Sequence, residues 1–351
     1  MERGTLLLDR AHMKKKSNER PKKIAVFRAL QIGDLLCSIP AIRTLKKAIP
    51  NSEITLIGLP WAESFVKRFS HYFSGFIEFP GYPGLPEQNF QLEKFTQFLH
   101  RLNHEKFDLL IQLHGNGSVI NPLMCTFGAA RITGFYEPGR FCPDKELFMP
   151  YPEELPEIER HLSLLRFLGL SSNDSSLEFP FTAEEEEGFT KLTKRHKLTP
   201  REYICIHPGA RDKKRMWAPE KFASVADILA QKGYTIVLTG TEAEKEVVRK
   251  VADIMQYPSV NLTGKTDLGT LALLIKNAKL LLSNDTGVSH LASAVKTPSV
   301  VIFLASDPKR WAPVNHDLHL IILPEQARTT ELALEYLEKL LGTEVTVKID
   351  F

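Results

Sequence analysis

Two patterns of hydrophobic and polar positions alternate along the chain. Short apolar runs rich in Val, Ile and Leu predict buried strands, and apolar residues spaced three or four positions apart predict amphipathic helices. The first half of the chain has predicted strands at 22–29, 52–59, 75–80 and 108–115, and predicted helices at 37–49, 61–69, 91–107 and 154–170. Strands that alternate with helices in this way indicate a parallel sheet covered by helices on both faces.

The same alternation begins again after residue 200. It predicts strands at 201–209, 234–240, 260–268, 279–287 and 298–304, and helices at 219–233, 242–255, 269–278, 288–295 and 329–342. The predicted fold class is therefore α/β, with two doubly wound parallel-sheet halves facing a central cleft. Because ligands bind at the carboxyl ends of strands in such sheets, we expect the functional residues just after the strands.

The segment 171–186 separates the two halves. It is rich in Ser, Asp and Glu, has weak periodicity and contains a proline, and these features predict a linker. We interpret its acidic run at 184–187 as a solvated helix start. The predicted division has five parts: a basic tail at 1–22, a domain at 23–170, the linker at 171–186, a second domain at 187–325, and a closing helix and tail at 326–351.

The composition agrees with two ordinary domains. The chain has 351 residues, of which 43% are hydrophobic, enough to form two cores. No apolar run approaches the roughly 18 residues of a membrane span, and the N-terminus lacks the features of a signal peptide. These observations predict a cytoplasmic protein. The four cysteines are scattered without a C-x-x-C pair, so we expect reduced thiols rather than disulfides or zinc ligands.

Basic charge is concentrated near the N-terminus. Residues 1–50 carry 12 Lys or Arg and 4 Asp or Glu, a net charge of +8, whereas the whole chain has +3. One hypothesis is that this segment docks on the anionic inner face of the inner membrane. A solvated tail is the alternative. Nucleic acid is not a predicted partner, because no helix-turn-helix, zinc finger or basic ribbon with interleaved aromatics is present.

The loop SNDTGVSH at 283–290 is the sharpest local signal for a binding site. It runs from a predicted buried strand into a helix start, where Asp285 or Thr286 can act as the cap. The free N–H groups and positive dipole end of such a helix suit a phosphate. His290 adds a donor within the first turn. A capped helix without a ligand explains the same residues.

A second strand exit, HPGARDKKRMW at 207–217, brings three cations close together. Lys213, Lys214 and Arg215 are suited to a pyrophosphate, and Gly209 allows the backbone to approach a ligand. The alternative is a solvated turn.

Two carboxylates also follow predicted strands. The loop GTEAEKE at 240–246 offers an acid for ribose hydroxyls, although a glutamate there also favours a helix start through the helix dipole. Asp34, beside Gly33, is placed either to act as a general base or to cap the next helix. The residues alone leave both alternatives open.

Several motifs of other chemistries are missing. The sequence has no G-x-G-x-x-G, no G-x-x-x-x-G-K-[ST] and no G-x-S-x-G. It also has no D-x-D triplet to hold a metal on a diphosphate. We therefore expect neither a metal nor a cofactor, and we expect cations and helix ends to neutralise any leaving pyrophosphate.

Six motifs occur in a fixed order: R-x-x-x-I-G-D-x-L-x-x-x-P-A-I-R-x-L-K at 28–46, DLLIQLHGN at 108–116, RHLSLLRFLGL at 160–170, IHPGA…KRMWAPEKFA at 206–223, VLTGTEAE at 237–244, and LLSNDTGVSHLASAV…PSVVIF at 281–303. Together they resemble glycosyltransferase family 9, the ADP-heptose:lipopolysaccharide heptosyltransferases and their relatives. The resemblance covers nearly the whole chain from about residue 23 to residue 340.

The resemblance implies a GT-B fold of two Rossmann-like domains. It implies inverting transfer of a sugar, heptose in the family, from an ADP-sugar to a lipopolysaccharide-core or related lipid-linked glycan acceptor, without a metal. The ADP-sugar is then a substrate rather than a cofactor. The domain at 23–170 would bind the acceptor, and the domain at 187–325 would bind the nucleotide-sugar.

Residue by residue, Asp34 matches the family's catalytic base. Arg215 falls where the family carries Lys or Arg for the diphosphate, although the adjacent Lys213 and Lys214 leave this assignment ambiguous, and Glu244 matches the acid near the ribose. The other residues predicted to bind the nucleotide-sugar are Gly209, Thr241, Thr266, Asn284, Asp285, Thr286, Gly287 and His290, and those predicted to bind the acceptor are Gly33, His114 and Asn116.

Two other functions stay open at this point. One is a GT-B relative that uses a UDP- or GDP-sugar, including a sugar-nucleotide epimerase. The other is a non-catalytic subunit that recognises a lipid-linked sugar. The sequence departs from the family at Trp217-Ala218-Pro219, where the family often has Trp-Pro, and it matches least over 60–150, so the acceptor is not specified.

Overall fold

The computed structural model describes residues 21–342, and the chain divides into two compact units between Ser176 and Leu177. Most of the predicted basic tail, at 1–20, and the end of the predicted C-terminal part, at 343–351, lie outside the described residues. Lys22, assigned to the tail, already belongs to the first unit, because its backbone N–H donates to Asp108 Oδ2 at 2.8 Å.

The first unit is built on one six-stranded sheet with the order β3-β2-β1-β4-β5-β6, in which all neighbouring strands are parallel. Its strands are Lys23–Phe27 (β1), Glu53–Gly58 (β2), Gly75–Glu78 (β3), Leu109–Gln112 (β4), Ile132–Tyr136 (β5) and Phe148–Pro150 (β6). Its helices are Ile32–Ala48 (α1), Ala62–Arg68 (α2), Leu92–Glu105 (α3), Ile120–Met124 (α4) and Glu157–Phe167 (α5).

The second unit repeats this plan, with a parallel sheet in the order β12-β11-β10-β7-β8-β9. Its strands are Tyr203–His207 (β7), Thr235–Leu238 (β8), Ser259–Asn261 (β9), Leu281–Asn284 (β10), Ser299–Ile302 (β11) and His319–Ile322 (β12). Its helices are Ala183–His196 (α6), Pro219–Gln231 (α7), Lys245–Ile254 (α8), Leu268–Asn277 (α9), Gly287–Ala294 (α10), Pro308–Trp311 (α11) and Glu331–Leu341 (α12), with 3-10 turns at Lys213–Arg215 and Glu242–Glu244.

Both sheets have the strand order of a dinucleotide-binding Rossmann fold. In each unit the first strand lies at the centre, between the second strand and the fourth. The connections therefore leave the central pair, β1 and β4 or β7 and β10, in opposite directions, and a crevice opens at their carboxyl ends. The predicted two doubly wound parallel sheets are confirmed, and the residues after these four strands are placed for binding.

Helix α1 begins earlier than the sequence predicted. The prediction started the helix at residue 37, after a loop containing Gly33 and Asp34, but the helix runs from Ile32 to Ala48 with Pro40 inside it. Pro40 is the ninth of the 17 residues and lies past the first turn, so the helix lacks one backbone hydrogen bond to the carbonyl one turn earlier. Asp34 is therefore a helical residue, and it is not the N-cap.

Helix α6 begins inside the predicted linker. Thr182 is its N-cap, and the Thr182 side chain and the Glu185 side chain each accept a hydrogen bond from the other's backbone N–H. This reciprocal pair satisfies two N–H groups that have no partner within the helix. The acidic run at 184–187 is thus the first turn of a helix, as interpreted from the sequence.

Three strands and two short helices were not predicted. They are β5, β6, β12, α4 and α11, and each has at most five residues. Runs this short carry little periodicity, so pairing with a neighbouring strand decides whether they become part of a sheet. Among residues 21–342, no helix combines the length and the apolar character needed to cross a membrane.

Candidate active site

Asp34 lies in the first turn of α1, directly beyond the carboxyl end of β1. Its carboxylate Oδ2 accepts a hydrogen bond from the backbone N–H of Gln31, the N-cap residue, at 3.2 Å. Its side chain is 21% exposed. Asp34 accepts from the N-cap backbone at the third helical position, so the interpretation of Asp34 as the N-cap is wrong. Its partly exposed side chain is compatible with a general base, which stays a prediction.

A completely buried arginine lies behind Asp34. The guanidinium of Arg28 donates through Nε to the backbone carbonyl of Asp34 at 2.7 Å, and its Nη2 lies 3.6 Å from Asp34 Oδ1. Its Nη1 donates to the carbonyl of Leu113, after β4. A fixed positive charge at this distance favours the ionised carboxylate of Asp34.

Helix α5 supplies the closest carboxylate to this arginine. Glu157 Oε1 accepts from Arg28 Nη2 at 2.9 Å, and Glu157 Oε2 accepts from Arg160 Nη1 at 3.2 Å. Glu157 is only 3% exposed. A buried carboxylate between two guanidinium groups is the arrangement that makes burying these charges tolerable.

His114 lies beside this network at the end of β4. Its Nδ1 accepts from the backbone N–H of Ala29 at 3.3 Å, so the neutral ring carries its proton on Nε2. Burial, and then the charge of Arg28, lower the pKa of His114 to about 3, against the opposing effect of Glu157. His114 is therefore a neutral hydrogen-bond donor at physiological pH.

The other two predicted acceptor-side residues are placed differently. Gly33 is buried in the first turn of α1 beside Asp34. Asn116 donates to Glu137 Oε2 at 3.0 Å, and its side-chain oxygen accepts from the backbone and the hydroxyl of Ser118. Gly33 and His114 thus lie next to the Asp34–Arg28 pair, whereas Asn116 orders the loop after β4.

In the second unit, the buried side chain of Asn284 connects the loops after β7 and β10. Its Oδ1 accepts from the backbone N–H of Trp217 at 2.9 Å, and its Nδ2 donates to the carbonyl of Pro208 at 2.8 Å. Trp217 is itself buried, and its Nε1 donates to the carbonyl of Ala327. These contacts occupy the amide of Asn284, so its geometry favours a role in positioning the loops.

The D-T-G segment follows at the start of α10. Asp285 is 2% exposed, and its Oδ2 accepts from the hydroxyl of Ser306 and lies 3.8 Å from Arg215 Nη1. Thr286 is the N-cap with an extended backbone, and its buried hydroxyl has no hydrogen-bond partner among residues 21–342. Gly287 begins the helix.

His290 also lies in this first turn of α10. It is 5% exposed, and its ring centroid is 6.1 Å from that of Trp311. The predicted loop at 283–290 is therefore the end of β10 followed by the first turn of α10, and Asp285 and His290 in it are buried.

The three adjacent cations are not equivalent. Lys213 and Lys214 are exposed on the 3-10 turn, whereas Arg215 is partly covered and lies next to Asp285. Asp212 caps this turn by accepting from the backbone N–H of Lys214 at 3.0 Å. The structure therefore separates Arg215 from its neighbours by its approach to the D-T-G segment.

Glu244 is tied to the loops after β7 and β8. Its Oε2 accepts from the backbone N–H and the hydroxyl of Thr241, at 2.7 and 2.8 Å, and lies 3.6 Å from His207 Nε2. Burial raises the pKa of the Glu244 carboxyl, but the hydrogen bond and charge of His207 and the contacts with Thr241 outweigh it and lower that pKa to about 2. Glu244 is an ionised acceptor over the whole physiological range.

Gly209 allows this arrangement. A Cβ atom at this position would lie 2.4 Å from both Cδ and Oε1 of Glu244, closer than atoms in contact can approach. The sequence had suggested that Gly209 admits a ligand, and the structure shows that it admits the Glu244 carboxylate. Thr266 lies apart from this pair, half-buried in the loop that precedes α9.

Sequence reasoning missed four residues of these networks: Arg28, Glu157, His161 and His207. Arg28 and His207 each follow an apolar run and begin a quoted motif, so a charged or titratable residue at the end of a strand was the available signal. Glu157 and His161 lie on a helix 129 or more residues from Arg28, and no local pattern connects them.

Comparison with known proteins identifies the family and the fold. The model of glycosyltransferase family 9 (heptosyltransferase) matches residues 95–340. Lipopolysaccharide heptosyltransferase 3 of Escherichia coli is 26% identical over 298 residues, which cover 82% of this chain and 84% of that protein.

Two solved structures show the same fold. A family 9 glycosyltransferase from Veillonella parvula aligns with a TM-score of 0.77 and 21% identity, over 92% of this chain and 97% of that one. The E. coli ADP-heptose lipopolysaccharide heptosyltransferase II aligns with a TM-score of 0.72 and 21% identity, over 92% of this chain and 98% of that one. The two six-stranded parallel sheets are those of a GT-B protein. Since the family match spans well over half of the chain and includes every site loop of the second unit, this protein belongs to glycosyltransferase family 9 and is a glycosyltransferase.

Proposed function

We propose that this protein transfers a heptose from an ADP-sugar to a sugar of the lipopolysaccharide core, with inversion, without a metal and with Asp34 as the general base. The observation that carries the proposal is the position of Asp34, at the strand-order switch of the first sheet, with its carboxylate beside a buried guanidinium. The names of its relatives support the substrate class, since they include lipopolysaccharide heptosyltransferase 3 and lipooligosaccharide heptosyltransferase 2.

In the proposed reaction Asp34 takes the proton of the acceptor hydroxyl as its oxygen attacks the anomeric carbon of the donor. The bond from that carbon to the β-phosphate oxygen breaks on the opposite face, which inverts the configuration. The base must be ionised to act, and Arg28 favours that state. The neutral His114 offers its Nε2–H as a donor to an acceptor hydroxyl.

The donor-side chemistry is assigned to the loops of the second unit. A leaving ADP carries negative charge on its β-phosphate, and the first-turn N–H groups of α10 and the guanidinium of Arg215 are suited to stabilise it. A carboxylate would repel a phosphate but accepts hydrogen bonds from sugar hydroxyls. Asp285 is therefore assigned to orient Arg215 and to contact the donor sugar. Glu244 is assigned to the ribose hydroxyls.

A Gly209→Ala substitution tests the assignment of Glu244. The new methyl group would push the carboxylate away from Thr241 and His207, and we expect ADP affinity to fall about 10-fold to 100-fold, the value of a hydrogen bond to a charged group. Calorimetric titration would measure the affinity for ADP, and thermal unfolding would show whether the variant keeps its stability.

Gly188→Ala is the matched control. A Cβ there meets Thr270 Oγ1 at an ordinary 3.5 Å inside helix α6, so neither affinity nor stability should fall. If a folded Gly209→Ala variant binds ADP with unchanged affinity, the assignment of Glu244 to the nucleotide site is wrong.

The nucleotide preference is tested by titrating the protein with ADP, UDP and GDP in the absence of divalent metal. We expect ADP to bind selectively, because the proposed donor is an ADP-sugar and cations and helix ends replace a metal at the diphosphate. Selective binding of UDP or GDP would retain the transfer chemistry and overturn the donor. A chain that binds none of the three and does not turn over an ADP-sugar would be a non-catalytic binding subunit.

The membrane-docking hypothesis rests on fewer charges than the sequence suggested. Of the basic residues in 1–50, Arg28 is buried and Arg43 pairs with Asp174 at 3.0 Å, so neither is available to a lipid surface. Docking on the anionic inner face of the inner membrane, and a cytoplasmic location, remain predictions. Six of the twelve basic residues in 1–50 lie in the segment 1–20, outside the described residues.

A further inference from the structure

The guanidinium of Arg28 lies between two carboxylates at unequal distances. Its Nη2 is 2.9 Å from Glu157 Oε1 and 3.6 Å from Asp34 Oδ1. Arg28 and Glu157 are buried, whereas Asp34 reaches solvent. The guanidinium of Arg28, whose charge acts on Asp34, is therefore closer to Glu157 than to Asp34.

Contacts from three segments keep the guanidinium in this position. Its nitrogens donate to the carbonyl of Asp34 in α1 and to that of Leu113 after β4, and Nη1 lies 3.0 Å from His161 Nε2 in α5. His161 Nδ1 lies 3.1 Å from the carbonyl of Cys37. A ring that donates from Nδ1 and accepts at Nε2 is neutral, so His161 orients Arg28 without adding charge.

Charged groups from β1 and α5 reach Asp34 directly or through Arg28. Arg28 comes from the end of β1, and Glu157 and Arg160 come from α5, with Arg160 bonded to the other oxygen of Glu157. His114, after β4, is neutral at physiological pH because burial and Arg28 hold its pKa near 3. Arg28 thus acts on Asp34 directly, Glu157 acts on it through Arg28, and Arg160 binds the other oxygen of Glu157.

We propose that Glu157 is a positioning residue that sets the basicity of Asp34 through Arg28. The proposal rests on the assignment of Asp34 as the general base. An unopposed guanidinium would stabilise the carboxylate so strongly that it would take a proton poorly. Glu157 draws the guanidinium toward α5 and offsets its field, so Asp34 stays ionised and still accepts a proton.

The test follows the titration of Asp34 in the whole protein, without any substrate. Protein labelled with 13C at the aspartate carboxyl carbons is titrated by NMR, and an Asp34→Asn variant identifies the Asp34 signal. Glu157→Gln keeps the shape and removes the charge, and we expect it to lower the Asp34 midpoint by about one pH unit. The acid limb of the kcat profile with ADP-heptose and truncated lipopolysaccharide core should move in the same direction.

Glu159→Gln is the matched control on the same helix. Glu159 pairs with Arg166 at 3.0 Å at the surface, so its replacement should leave the Asp34 midpoint unchanged. Glu157→Asp keeps the charge but draws it back from Arg28, and we expect a smaller shift in the same direction. This second variant also decides the matter if Glu157→Gln does not fold.

A midpoint that is unchanged or raised in the folded Glu157 variants would overturn the proposal, because the charge of Glu157 would not reach Asp34. This failure is distinct from failure of the proposed function. If Asp34→Asn retains full transfer activity, Asp34 is not the base, whatever its midpoint. If Asp34→Asn is inactive and the Asp34 midpoint is the same in the Glu157 variants as in the wild type, only the present inference fails.

Discussion

An Asp34→Asn variant is expected to lose about 10²-fold to 10⁴-fold in kcat for heptose transfer, the usual contribution of a general base. The amide has nearly the same shape but cannot take the proton of the acceptor hydroxyl. Its oxygen can still accept from the backbone N–H of Gln31, so the start of α1 should be retained. Release of ADP from ADP-heptose with a truncated lipopolysaccharide core measures kcat, and calorimetry with ADP measures donor-site binding.

ADP affinity should stay within about threefold of the wild type, because the proposed nucleotide contacts belong to the second unit. Asp108→Asn is the matched control: Asp108 also accepts from backbone N–H groups, those of Lys22 and Lys23, but lies at the amino end of β4. It should leave kcat unchanged. An Asp34→Asn variant with near-normal kcat, or with parallel losses of turnover and ADP binding, would contradict the base assignment.

The sequence was sufficient for the fold class because the two sheets are made mostly of continuous apolar runs. KIAVF at β1 and YICIH at β7 are buried almost throughout, and the helices between such runs have clear periodicity. A parallel sheet then places its ligands at the carboxyl ends of the strands. That rule located Asp34 and the loops at 207–217 and 283–290 before any contact was known.

The missed elements were short or depended on distant partners. Strand β6, Phe148–Pro150, has three residues and exists because it pairs with β5. Helix α1 was started too late, at residue 37, because the segment with Gly33 and Asp34 was interpreted as a loop. Local propensity is a weak guide where tertiary pairing decides the structure.

The site itself was predictable only in part, for a similar reason. The pattern identified Asp34 and Glu244 as carboxylates after strands, but it did not reveal that Glu157 holds the arginine beside Asp34 from a distant helix. Nor did it show that Gly209 makes room for Glu244. Such contacts arise from packing between segments far apart in the chain, and no spacing along the sequence encodes them.

The three adjacent cations show what the structure adds. The sequence treated Lys213, Lys214 and Arg215 as equal candidates for the diphosphate. Trp217, two positions after Arg215, is buried in the core, and its backbone N–H donates to Asn284. This anchor brings Arg215 to within 3.8 Å of Asp285. The two lysines are exposed on the turn before it.

An Arg215→Gln variant is therefore expected to lower kcat/KM by about 10²-fold, the effect of removing a group aimed at developing charge on a leaving group. Arg215→Lys should recover only part of this loss, since a lysine keeps the charge but not the planar fork that binds two phosphate oxygens. Steady-state kinetics of ADP release provides the measurement. Paired titrations with ADP and AMP locate the effect, because only ADP carries the β-phosphate.

Lys214→Gln is the matched control, since it removes one cation from the same turn. An exposed charge contributes little, so kcat/KM should stay within about threefold of the wild type. The preference for ADP over AMP should collapse in Arg215→Gln and persist in Lys214→Gln. The reverse pattern would make Lys214 the diphosphate ligand, and the contact between Arg215 and Asp285 would then serve only to order the loop.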